Sequence, residues 1–137
     1  MNKICTSLEQ SQKLIELGID VNTADMYHTE GYIVSKEGFN LPFDEDDVPA
    51  WSLAALMNLL LSEFTEVGKY STTTYKIDIR KYKFTEDVDL YQIAYGSLKF
   101  YEDGSNHWKD MINTGEKEEL LDAAFQMIIW LKENNKI

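Results

Sequence analysis

The chain predicts an α+β fold, an antiparallel β-meander packed with about three helices, and three observations predict it. Apolar residues recur at helical spacing near the start, in the middle and at the end of the 137 residues. Between the last two of these stretches, Tyr75, Ile77 and Ile79 alternate with Lys76, Asp78 and Arg80, the period of a half-buried strand. Gly96-Ser97 and Asp103-Gly104 then punctuate the next apolar runs at hairpin spacing.

Each element has its own local reason. Thr6 or Ser7 caps a first helix over about 7–17, with Leu8, Leu14, Ile15 and Leu17 as its stripe and Gly18 just past its end. Met26-Tyr27 and Tyr32-Ile33-Val34 suit two short strands around a turn at Thr29–Gly31. Residues 35–47 read as a loop. Pro49 then suits the first turn of a helix over about 49–64, capped by Asp46 or Asp47 and carrying Leu53, Leu56, Met57, Leu60, Leu61 and Phe64. A strand at 75–80, a second at 88–95, a tight turn at Gly96-Ser97 and a third strand over LKFYE make the meander. The last helix covers about 116–134, buries Leu120, Leu121, Ala124, Phe125, Met127, Ile128 and Leu131, and carries Glu116, Glu118 and Glu119 in its first turn. One domain, 1–137, accommodates all of this.

Composition bounds the function. With 44% apolar residues, 27% charged residues and 17 aromatics, the chain is globular rather than disordered. A net charge of −11 argues against nucleic acid and anionic membrane as partners. No apolar run is long enough to span a bilayer, and the start has no signal-peptide pattern. Cys5 is the one cysteine, so the expected location is cytoplasmic, with no disulfide and no cysteine-based metal cluster. No cofactor is expected.

The charge is unevenly placed. Residues 37–66 hold seven acidic side chains and no Lys or Arg, whereas residues 67–110 balance to zero. Glu63 and Glu66 fall at the far end of the predicted central helix, so the negative pole reduces to Asp44, Glu45, Asp46 and Asp47. A run like this is ordinarily a solvated loop that caps a helix, and it lacks the alternating ligands and distal Glu of an EF-hand. It also suits a basic partner protein. Trp51 reads as a packing anchor at the helix start, or as an aromatic anchor within a binding surface. Asp44, Glu45, Asp46, Asp47 and Trp51 are therefore the candidate partner-binding residues.

Other constellations are weaker. His28 and His107 lack the pairing that zinc hydrolases use on a helix, and no P-loop, nucleophile elbow or dinucleotide fingerprint is present. Tyr70, Tyr75, Tyr82, Tyr91, Tyr95 and Tyr101 could stack bases, but the cationic balance for nucleic acid is missing and cross-strand pairing explains them. LIELGIDVNTAD is similar to the end of an ankyrin repeat, yet no second copy follows to bury its face.

The opening SLEQSQKLIELGIDVNTADMY, the central VPAWSLAALMNLL and the closing LLDAAFQMIIWLKENN together resemble a group of small uncharacterised proteins of gut Bacteroidetes and their phages or prophages. The resemblance implies a mobile-element accessory protein, and it carries no assigned activity and no functional residues. The resulting expectation is a non-catalytic interaction protein that meets a protein partner through the acidic loop and the adjacent helix. Self-association through the 49–64 helix and the MIIWL stripe is a variant of that expectation. The alternatives are a metal-assisted hydrolase using Asp44, Asp46 or Asp47 with His28, and an acidic DNA mimic that inhibits a host nucleic-acid-binding protein.

Overall fold

A computed structural model of the chain describes residues 3–36 and 46–137. Their order is α1 (Leu8–Glu16), β1 (Met26–Thr29), β2 (Tyr32–Ser35), β3 (Val48–Ala50), α2 (Leu53–Leu59), β4 (Glu63–Val67), β5 (Thr72–Lys83), β6 (Asp89–Phe100), β7 (Asn106–Asn113) and α3 (Leu120–Glu133). The strands make two antiparallel sheets, a three-stranded one ordered β2-β1-β3 and a four-stranded meander ordered β4-β5-β6-β7. The α+β fold with a meander follows the expectation.

The N-terminal elements form where the sequence places them. Ser7 and Gln10 make a reciprocal capping box at α1, with bonds of 3.1 and 3.0 Å. Gly18, at φ +86°, carries the chain out of that helix. Glu30 and Gly31 both have positive φ, which is what a tight turn between twisted strands requires.

The central helix differs from expectation at both ends. Val48–Ala50 is a strand paired with β1, and α2 starts at Leu53. Pro49 sits opposite Tyr27 at the edge of its sheet, where a missing N–H is tolerated. Ser52 is the cap: its hydroxyl oxygen accepts from the Ala55 amide at 3.2 Å. Asp25 fixes that serine, accepting from its amide at 2.9 Å and also from its hydroxyl. Asp46 and Asp47 consequently lead into a strand and cap no helix. After Leu59 the chain pairs with β5 along Glu63–Val67 instead of remaining helical. There Phe64 joins a ring cluster, with centroids 5.5 Å from Tyr75, 5.1 Å from Tyr95 and 6.0 Å from Trp130. Tertiary pairing overrides local spacing in both places.

The meander also departs from the predicted boundaries. Gly96-Ser97 is not a turn; β6 runs through it as one 12-residue strand, and the hairpin to β7 lies at Tyr101–Ser105. The segment HWKDMIN, unassigned from sequence, is the edge strand β7. Helix α3 begins at Leu120, because Lys117 is held extended by a two-way backbone pairing with Tyr91, at 2.6 and 2.8 Å.

One buried cluster unites the molecule. Leu14 from α1, Trp51, Leu56 from α2, Ile93 and Tyr95 from β6, and Leu121, Met127, Ile128 and Leu131 from α3 belong to it. Full burial of each aliphatic side chain here contributes roughly 1.5–3 kcal/mol relative to exposure. The apolar stripes that the sequence offers for self-association, on α2 and in MIIWL, face this core. Helix α3 thus covers one face of the meander through Ile93 and Tyr95. Among the described residues, the opposite face is left to its own side chains.

Candidate functional site

That opposite face is organised around small residues on β6. Ala94 and Gly96 point to it, Ala94 lying opposite Asp78 of β5 and Gly96 opposite Lys76. Their size leaves a shallow trough along the central strand, and longer side chains from both neighbours lie across it. Arg80 of β5 reaches over β6 to Asp110 of β7 in a bidentate pair, Nη1 to Oδ2 at 2.8 Å and Nη2 to Oδ1 at 2.5 Å. Its Nε donates to Asp78 at 2.7 Å, and Nη1 also reaches Gln92 Oε1 at 3.2 Å. The Tyr82 hydroxyl donates to the same Gln92 oxygen at 3.2 Å.

A β-bulge explains why Asp110 is available. The register shifts between Tyr95 and Gly96, so Ile112 opposes Tyr95 while Asp110 opposes Gly96, and Met111 is the extra residue. Met111 and Ile112 therefore both pack on the core. Asp110 and Asn113 both face outward, with the Asn113 amide 3.4 Å from Asp110 Oδ2.

Trp108 completes the arrangement. Its Nε1 donates to Asp110 Oδ1 at 2.7 Å, and the ring lies over Gly96. A Cβ added at Gly96 would stand 2.8 Å from two indole atoms and 2.5 Å from the Lys109 carbonyl. Electrostatics follow the geometry. The Arg80 guanidinium bonded to Asp110 holds that carboxyl below the usual carboxylate range, and the same bond raises Arg80. The site is thus a fixed chain of contacts, Asp78–Arg80–Asp110–Trp108, across three strands. Beside it stand Leu98 at 50% exposure, Phe100 at 76% and Tyr82 at 41%.

The residues singled out from sequence lie elsewhere. Asp44 and Glu45 are outside the described residues; Asp46 is exposed and Asp47 half-buried, just before β3. Trp51 is fully buried, its Nε1 donating to Thr23 Oγ1 at 2.9 Å, so it belongs to the core and not to a surface with those acids. Glu66 belongs to β4 and pairs with Lys136 at 2.9 Å. His28 Nε2 donates to the Thr6 carbonyl at 2.9 Å, and His107 stacks edgewise on Tyr101 at 5.4 Å. Among the described residues, no group of three His, Cys, Asp or Glu side chains is placed to hold a metal ion. Cys5 is buried, and burial followed by the charge of Asp25 pushes its thiol up, away from the reactive thiolate. Tyr75 and Tyr95 pack with Phe64 on the core side while Tyr82 faces outward, so the tyrosines do not share one platform.

The outer face escaped sequence reasoning because its parts are far apart in the chain. The available signal was the pair of alternations: Trp108 with Asp110, and Ala94 with Gly96. No family model matches the chain, and no curated protein or solved structure matches it. No helix among the described residues is long and apolar enough to cross a membrane.

Proposed function

We propose that the chain is a cytoplasmic, non-catalytic interaction protein, an accessory of phage or prophage origin, that binds a protein partner through the open face of the meander. The observation that carries this reading is the pairing of a rigid polar network with exposed apolar side chains. Trp, Tyr and Arg are the residues enriched at binding hot spots, and Trp108, Tyr82 and Arg80 occur here together. Their side chains are already ordered by Asp110, Gln92 and Asp78, so little conformational entropy would be lost on contact. Leu98 and Phe100 supply apolar area beside them.

The acidic run is assigned a secondary role in this reading. Asp46 and Asp47, with Asp44 and Glu45 before them, would steer a basic region of the partner and quicken encounter. Trp51 takes no part in it.

Affinity capture from a host lysate with quantitative mass spectrometry tests the proposal. The double variant Leu98→Ser with Phe100→Ser should lose the captured partner, while Asp46→Asn with Asp47→Asn should retain it with weaker capture at low salt. An unchanged partner set for the Leu98/Phe100 variant would remove this face from consideration.

A further inference from the structure

The meander is forked. Pairing between β5 and β6 stops at Lys76↔Gly96, although β5 begins at Thr72 and β6 continues to Phe100. Beyond that point Thr72–Tyr75 pairs with β4 alone, and Ser97–Phe100 pairs with β7 alone, among the described residues. The two arms enclose a groove of about 420 Å³, within the ~300–1,000 Å³ typical of ligand sites. Gly96 closes its inner end, Thr72, Thr73 and Thr74 form one wall, and Ser97, Leu98 and Lys99 form the other.

We propose that this fork binds an extended acidic peptide segment of the partner, which adds as a strand to the free edge of β6 at Ser97–Phe100. The proposal rests on the interaction-protein reading above and names the ligand chemistry for the same region. Three observations support it. The edge of β6 facing the fork lies outside either ladder, and an open edge is a template for strand addition. Lys76 and Lys99 line the groove with no carboxylate among its lining residues, in a chain whose net charge is −11. Ser97 Oγ, buried in that wall, has no hydrogen-bond partner among the described residues.

Strand alternation then sets the preferred sequence. Side chains of the incoming segment would point alternately to the outer face, against Leu98 and the Trp108 ring, and to the other face, toward Ser97 and Lys99. An apolar residue against Leu98 and the Trp108 ring, alternating with an acidic one toward Lys99, satisfies both sides, and Lys76 adds positive charge at the inner end of the outer face. A free-edge segment of like charge to Lys76 and Lys99 would be repelled.

The test is an amide NMR titration of the full chain with the blocked peptide Glu-Val-Glu-Val-Glu-Val, with Lys-Val-Lys-Val-Lys-Val as control. The expected result is shifted, exchange-protected amides in Ser97–Phe100 and perturbation of Thr72–Tyr75 by the acidic peptide, with affinity about tenfold or more above the basic one. Lys76→Glu with Lys99→Glu should reverse that preference, a readout that does not depend on overall stability. Equal binding of the two peptides, no binding, or shifts confined to another edge would overturn the inference. If the peptides fail at the fork while Leu98→Ser with Phe100→Ser still abolishes partner capture, only the fork assignment falls. If capture is also unchanged, the interaction-face reading falls with it.

Discussion

The indole of Trp108 rests on the backbone of Gly96, with Asp110 holding its Nε1 at 2.7 Å. A glycine in mid-strand normally weakens a sheet, since it contributes no packing. Here the neighbouring strand supplies the missing cover, and the ring in turn acquires a fixed orientation. Replacement by alanine would drive a Cβ into the Lys109 carbonyl and the ring together. Gly96→Ala should cost about 1–3 kcal/mol, as overpacked sites do, and should displace the indole. Denaturant titration checks the first effect, and near-ultraviolet circular dichroism checks the second. Unchanged stability with an unchanged aromatic signal would mean that the ring is not seated on this glycine.

Acid should loosen the outer face before it unfolds the core. Asp110 is held below its ordinary range chiefly by its bond with Arg80, so its folded-state pKa lies below its unfolded one. The stabilisation is therefore complete above the unfolded value, about 3.9, and is lost as pH falls through the folded value. Asp110→Asn should be less stable than the wild type at neutral pH by roughly 1–2 kcal/mol, and the difference should shrink below about pH 4. Thermal melts across that range read it directly.

Alkali acts on the other side of the same sheet. Burial pushes Tyr95 up to about 12, and its hydroxyl donates to the Leu61 carbonyl at 2.6 Å. The neutral phenol is favoured in the folded state, so its contribution is full below about pH 10 and disappears as pH rises through the folded value. Tyr95→Phe should lower stability at neutral pH by about 1 kcal/mol, the net worth of one hydrogen bond. It should also flatten the loss of stability between about pH 10 and 12, which alkaline denaturation curves would show.

The start of α2 separates two readings of one short segment. Ser52→Ala removes the cap and strips Asp25 of its hydroxyl donor while leaving the backbone amide bond in place, which should cost about 1–2 kcal/mol. Asp47 keeps other contacts, but neither it nor Asp46 caps a helix, so Asp46→Asn should be close to neutral. Equilibrium unfolding of the two variants decides the matter. A larger loss from Asp46→Asn than from Ser52→Ala would restore the acids as the cap.

The sequence made the fold class, α1 and the hairpin turn at Glu30-Gly31 legible, because each depends on residues close in the chain. Two misplaced boundaries share a different cause. Val48–Ala50 and Glu63–Val67 overlap the two ends of the helix expected over about 49–64, yet β1 and β5 draw them into sheets. Gly96-Ser97 has turn composition, but Trp108 makes the glycine a packing position. The outer face was the least legible part, since Arg80 and Asp110 are 30 residues apart and meet only after a bulge sets the register. The acidic run drew attention through composition, which reports charge but not what the fold places beside it.

Site-specific photo-crosslinking reads whether the outer face of the meander meets a protein partner. A benzoylphenylalanine placed at Phe100, which is 76% exposed, should yield a discrete adduct in the host lysate, whereas the same group at Asp46 should give much less. An adduct formed from position 46 and absent from position 100 would contradict the account.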